Sequence, residues 1–213
     1  RSSWVTGVQT CALPIFTMIL PTRLRKNKNI RRLVRETHLS MDDVIYPIFV
    51  VDGEGIRREI PSMKGQYHYS FDKLDGVAAM LRDKGIGHIM LFGVPAEKDA
   101  EASPAFADDG IIQRAARRLK ALDPELYIVG DVCLCEYKSD GHCCFFEENG
   151  DIRRDRSLET LCKVAVSQAR AGIDMIAPSD MMDGHIAALR TALDDAESSW
   201  RSEERRVGKE CRS

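Results

Sequence analysis

Leu126-Tyr-Ile-Val-Gly-Asp-Val132 runs directly into Cys133-Leu-Cys-Glu-Tyr-Lys-Ser-Asp-Gly-His-Cys-Cys144, and the reading of these two segments decides the fold. The first is a short apolar run of the length expected for a buried β-strand. The second opens with two cysteines one residue apart and closes with two more, after a polar turn that contains glycine. Residues i, i+2 and i+4 of a strand share a face, so an uninterrupted strand points Asp131, Cys133 and Cys135 the same way. The loop can then fold back and add Cys143. Three thiolates leave one position of a tetrahedral zinc open for water or substrate, as catalytic sites do. A fourth ligand from His142 or Cys144 closes the site and makes it structural, and spacing alone also leaves room for a redox pair or for inert buried thiols.

Outward from this stretch the chain alternates apolar runs with amphipathic ones. Val44–Val51, Ile86–Val94 and Ile173–Pro178 read as further strands, the first nearly continuous in apolar residues, as expected of a strand buried on both faces. Pro47 suits the margin of a strand better than its centre. Between them, Asp72–Gly85, Asp108–Leu122, Ser157–Gly172 and Met182 to about Glu197 carry helical periodicity. Gly85 closes the first helix, and acids precede bases in the second, as the helix dipole prefers. Such alternation predicts a parallel sheet with ligand chemistry at the C-terminal ends of its strands. The cysteine cluster lies at one such end and Ala177-Pro-Ser-Asp-Met-Met-Asp-Gly184 at the next, where Ser179, Asp180 and Asp183 can line the same mouth. Ser179 or Asp180 is equally a competent N-cap for the following helix, and His185 reads as a surface helix residue. Gly93 and Gly130 form no GxGxxG loop, which disfavours a dinucleotide fold.

Composition narrows the function classes. The 213 residues are 44% hydrophobic and 30% charged with a net charge of −2, the profile of an ordinary folded protein without the basic field that nucleic-acid binding requires. The run Arg23–Arg32 is a solvated basic segment, and residues 17–43 form a polar N-terminal arm with one short helix around Ile30–Arg35. No apolar run reaches the roughly eighteen residues of a membrane span, so no membrane partner is expected. Four clustered and three scattered cysteines fit a metal site in a reducing compartment better than a disulfide framework, and the cytoplasm is the default location.

The two ends read differently. Arg201–Ser213 resembles the in-frame translation of a sequencing-library adapter, and Val5–Ile15 resembles its companion. A signal peptide is disfavoured at the start by its minimal charged region and the lack of a cleavage site. Residues 1–16 and 199–213 are therefore expected to be non-native, which removes Cys11 and Cys211 from the count. Residues 44–198 are expected to form the folded body.

Taken together, Asp131–Tyr137, Gly141-His-Cys143 and Ala177–Gly184 closely resemble the porphobilinogen synthase (δ-aminolevulinic acid dehydratase) family. Arg32–His38, Tyr46–Val50, Leu91–Pro95 and Gln113–Ala115 extend the likeness over about residues 20–195. The resemblance implies an α/β fold, here the N-terminal half of a TIM (β/α)8 barrel with about four βα units, preceded by an extended N-terminal arm. It also implies a homo-oligomer, an octamer in the family, whose arms embrace neighbouring subunits. The implied reaction condenses two molecules of 5-aminolevulinate to porphobilinogen with loss of two waters, on the way to haem and other tetrapyrroles. By position, Cys133, Cys135 and Cys143 match the three ligands of the Zn2+-dependent branch, Asp131 and Ser179 match residues beside the substrates, and His142 matches a histidine next to the metal ligands. For a full-length protein the resemblance leaves room for an additional allosteric Mg2+, whose residues the sequence does not identify.

Asp140 and Cys144 depart from the histidine and glycine expected around the cysteine loop, His185 from a common arginine, and Lys64 from a common proline. Cys144 bears on the chemistry, because it offers a further thiolate. The family also uses two Schiff-base lysines, amine nucleophiles activated by their surroundings. Neither Lys163 nor Lys209 matches them. The expectation is a truncated chain that carries the metal-binding part of an active site and is inactive by itself. The competing expectation is a non-catalytic zinc-binding or redox-active cysteine fragment.

Overall fold

The computed structural model describes residues 21–196 and 202–203. Cys11, Lys209, Cys211 and most of both adapter-like ends lie outside the described residues. The chain divides into two units, Arg1–Ser40 and Met41–Ser213. In the first, helix α1 (Lys28–Leu33) starts where Asn27 Oδ1 accepts the Ile30 amide at 3.0 Å, and it buries none of its residues. Its six residues correspond to the short helix read around Ile30–Arg35.

The second unit is built on one sheet. Strand β1 (Tyr46–Val51) pairs in parallel with β4 (His88–Val94), β4 with β5 (Tyr127–Val132), and β5 with β6 (Met175–Pro178). These four strands are laid side by side in the order in which they occur, and each crossover carries a helix: α2 (Leu74–Lys84), α3 (Ser103–Phe106) with α4 (Ile111–Leu122), and α5 (Arg154–Arg170). Helix α6 (His185–Asp195) follows β6. This is the wall of a (β/α)8 barrel with part of its staves. The four strands and four main helices fall where the alternation predicts them. Gly85 caps α2 at φ 65°, a left-handed conformation that glycine adopts without strain.

Two features escape the sequence reading. The first is a hairpin of β2 (Arg57–Ile60) and β3 (Met63–Ser70), which extends the sheet beyond β1. Three of the four residues of β2 are exposed charged side chains, so no apolar alternation marks it. The second is β7 (Ser202–Glu203), which pairs with Met175 and Ile176. It falls within the stretch set aside as adapter-like. Backbone pairing asks for extended chain rather than a particular sequence, which is why β7 leaves no signal.

The core lies between sheet and helices. Ile48, Val50, Ile89, Leu91, Ile128 and Ile176 point outward onto Leu74, Leu81, Ile112, Leu119, Leu161 and Leu189, all buried. Full burial of one such side chain is worth about 1.5–3 kcal/mol. On the opposite face Pro47, Met90 and Phe92 are half-buried, with Phe49 stacked on Phe92 at 5.1 Å. Asp131 and Ala177, paired across β5 and β6, alternate onto this inner face.

Candidate metal centre

Strand β5 ends at Val132, so Cys133 and Cys135 do not lie on it. The expectation that alternation along a strand aligns Asp131 with both cysteines is corrected here. The amides of Tyr137 and Lys138 donate to Leu134 O at 2.9 and 2.8 Å, and the chain coils into a turn. Two residues apart on an extended strand are separated by about 6–7 Å, whereas the turn places Cys133 Sγ 3.3 Å from Cys135 Sγ. The loop then folds back as expected: Cys143 Sγ lies 3.1 Å from Cys133 Sγ.

The ligand atoms of Cys133, Cys135 and Cys143 all lie within 4.8 Å of one another, the one such grouping of potential metal ligands among the described residues. Neither His142 nor Cys144 joins it. His142 is exposed, its ring edge-on to Phe146 at 5.0 Å, and Cys144 is buried among core residues. The donor set therefore fits an open tetrahedral ion. With metal–sulfur bonds of about 2.3 Å, sulfurs around zinc stand about 3.7 Å apart, a small expansion from the observed spacing. Burial foremost pushes the Cys133 thiol up to about 12, and burial likewise raises Cys135. Thiolates are unfavourable here unless a cation compensates them.

The surroundings lock this geometry. Gln168, fully buried on α5, donates from Nε2 to Asp131 O at 2.8 Å and pins the C-terminal end of β5. Tyr137 is buried against Gly93, where an added Cβ would lie 2.5 Å from the tyrosine hydroxyl. The two glycines read above as failing a nucleotide-loop pattern are points of close packing: Gly130 likewise makes room for Gln168. Asp131 itself is buried. Ser179 follows β6 immediately, half-buried, and its amide donates to Val132 O at 3.1 Å. The ends of β5 and β6 thus hold Asp131, the cysteine cluster and Ser179 on neighbouring staves.

Beyond Ser179 two expectations are corrected. Neither Ser179 nor Asp180 caps α6, whose N-cap is Gly184. Asp180 is instead buried, and its Oδ1 accepts the Met182 amide and meets His185 Nδ1, each at 2.8 Å. His185 is buried with it, because the β6–α6 loop turns the start of the helix inward over the carboxylate. Asp183 is exposed and lines an open cleft of about 650 Å³ with Arg153, Arg154 and Arg156. Lys163 is exposed on α5 and pairs with Glu159 at 2.7 Å. Sequence reasoning missed Lys138 and Gln168, since a lysine in a polar loop and a glutamine in a helix both read as solvated.

The profile of the family described as Delta-aminolevulinic acid dehydratase matches residues 19–201. The Delta-aminolevulinic acid dehydratase of Halalkalibacterium halodurans is 52% identical over 174 residues, covering 82% of this chain and 53% of that protein. That of Synechococcus elongatus is 50% identical over 179 residues, covering 83% and 55%. A crystal structure of the Toxoplasma gondii ME49 enzyme, in complex with the reaction product porphobilinogen, superposes with a TM-score of 0.81 at 38% identity, covering 87% of this chain and 53% of that one. The chain spans about half the length of these relatives.

Proposed function

Because the chain belongs to the Delta-aminolevulinic acid dehydratase family, we propose that it supplies the metal-binding part of an active site that converts two molecules of 5-aminolevulinate to porphobilinogen, releasing two waters. The observation that carries this reading is the convergence of Cys133, Cys135 and Cys143, with no fourth His, Cys, Asp or Glu grouped with them among the described residues, at the strand ends that also hold Asp131 and Ser179. The residues would hold Zn2+, which when bound supplies Lewis-acid polarisation and orientation of one substrate molecule. Asp131, buried at the end of β5, would take up and return a proton as carbon–nitrogen and carbon–carbon bonds form. Ser179 orients the substrate through its hydroxyl. His142 serves the loop from outside the ligand set, its backbone amide donating a hydrogen bond to Asp140 Oδ1 at 3.0 Å.

The two amine nucleophiles of the family reaction have no counterpart among the described lysines, so the 213-residue chain alone is proposed to be inactive. The complete protein is proposed to be a cytoplasmic homo-oligomer, octameric as the resemblance implies. No helix among the described residues is long and apolar enough to cross a membrane. Incubating the purified, zinc-loaded chain with 5-aminolevulinate tests the proposal. It should bind one zinc per chain and produce no porphobilinogen, while a version continued through two lysine-bearing strands should produce it. Turnover by the 213-residue chain refutes the inactivity, and failure to retain zinc refutes the metal assignment.

A further inference from the structure

Lys138 is 2% exposed although it sits in the loop between the second and third cysteines. A buried ammonium is costly unless its donors are used, and here they join two separate parts of that loop. Nζ donates to Asp140 Oδ2 at 2.9 Å and to Cys144 O at 2.5 Å, and it lies 4.5 Å from the centre of the Phe145 ring. The same residue's amide closes the turn that carries Cys133 and Cys135, by donating to Leu134 O at 2.8 Å. Its carbonyl accepts the Gly141 amide at 3.1 Å, at the reversal that brings the chain back. Cys143 is thereby held from both sides. Preceding it, His142 is bonded through its amide to Asp140 Oδ1, and following it, Cys144 is bonded through its carbonyl to Lys138. The β4–α3 connection adds a backing: the Ser139 amide donates to Asp99 O at 2.8 Å, and Asp99 N donates to Tyr137 O at 3.2 Å.

Resting on the metal-site reading above, we infer that Lys138 is the positioning residue of the three-thiol centre, a buried clamp that sets Cys143 against Cys133 and Cys135 before a metal arrives. Asp140, exposed and absent from the pattern the resemblance implies, is the surface half of the clamp. The loop from Ser139 to His142 is otherwise exposed. Without the clamp its ordering would have to be supplied by the metal itself, and affinity would fall accordingly.

The test uses the full chain, reduced and anaerobic, with three variants: K138M, which keeps the apolar stem; K138R, which keeps charge and donors; and D140N, which weakens only the exposed side. Co2+ is titrated first, because its thiolate charge-transfer band and d–d intensity report ligand number and geometry, and Zn2+ competition then gives affinity. K138M should bind zinc about 10–100-fold more weakly, the range found when residues that orient metal ligands are removed, with a visibly altered cobalt spectrum. K138R should recover much of the loss, and D140N should fall between. As a metal-independent readout, diamide takes two electrons and two protons from the Cys133 and Cys143 thiols to form their disulfide, and K138M should slow that step about tenfold. If the parent protein retains no metal but K138M still slows the disulfide, the metal reading fails and the clamp stands. A K138M protein with unchanged disulfide rate, and with zinc affinity within twofold of the parent where the parent binds, overturns the clamp. Should K138M not fold, D140N alone decides by the same two readouts.

Discussion

Gly130→Ala perturbs the seam between the barrel wall and the metal centre. An alanine Cβ at this position would lie 2.2 Å from Gln168 Oε1, and 3.1 Å from both Gln168 Cδ and Ile173 Cγ2. Gln168 is fully buried, so its amide has little space to retreat into, and any movement stretches the 2.8 Å bond to Asp131 O. Forcing a methyl into a filled core costs about 1–3 kcal/mol, and loss of a buried hydrogen bond adds about 1 kcal/mol or more. The variant should therefore be destabilised by about 2–4 kcal/mol, read as a shift of the urea midpoint with unchanged slope. Because the strain is exchanged between two named side chains, the double variant Gly130→Ala/Gln168→Ala should show a coupling of about 1–2 kcal/mol: alanine at 130 is better tolerated once the glutamine is gone. Gly130→Ala within 0.5 kcal/mol of the parent, or strict additivity of the pair, refutes this account of why glycine occupies the strand.

Other outcomes follow from the same geometry. Cys133→Ser removes the central sulfur and should weaken zinc binding by at least about 100-fold, measured by competition with a chromogenic chelator. Zinc affinity should rise with pH through the neutral range, because burial holds Cys133 protonated up to about 12 and the metal must displace its proton. Calorimetry in buffers of different ionisation enthalpy should accordingly show proton release. His185→Ala leaves the buried Asp180 carboxylate with one fewer partner and should cost about 1–3 kcal/mol in denaturant unfolding. The Ser70 hydroxyl, and then the Gly55 amide, hold the Asp72 carboxyl below its ordinary value of 3.8. A carboxyl lowered on folding contributes stability above its unfolded value, and that contribution is lost as the pH falls below about 3.8. Asp72→Asn should flatten this acid limb in a Tm-versus-pH profile.

The sheet was legible because its central strands are apolar runs at regular intervals, and Gly85 ends its helix as local chemistry requires. The hairpin Arg57–Ser70 was not, since its partners are fixed by the edge of β1 rather than by alternation. In the site, ligand types were readable from spacing, but the side-chain directions were not. A strand reading put Asp131, Cys133 and Cys135 on one face, whereas the ladder stops at Val132 and a turn performs the convergence. His185 looked like a surface residue because helical periodicity carries no information about a loop folding a carboxylate beneath the first turn. Lys138 was invisible for a related reason: burial of a charged loop residue depends on acceptors, Asp140 and the Cys144 carbonyl, that only the folded loop brings within reach.

Zinc K-edge X-ray absorption on the reduced, stoichiometrically loaded protein tests the central claim most directly. Three sulfurs at about 2.3 Å and one light-atom ligand are expected, falling to two sulfurs in the Cys143→Ser variant. Four sulfurs in the parent, with Cys144 drawn into the shell, would contradict an open three-thiolate centre.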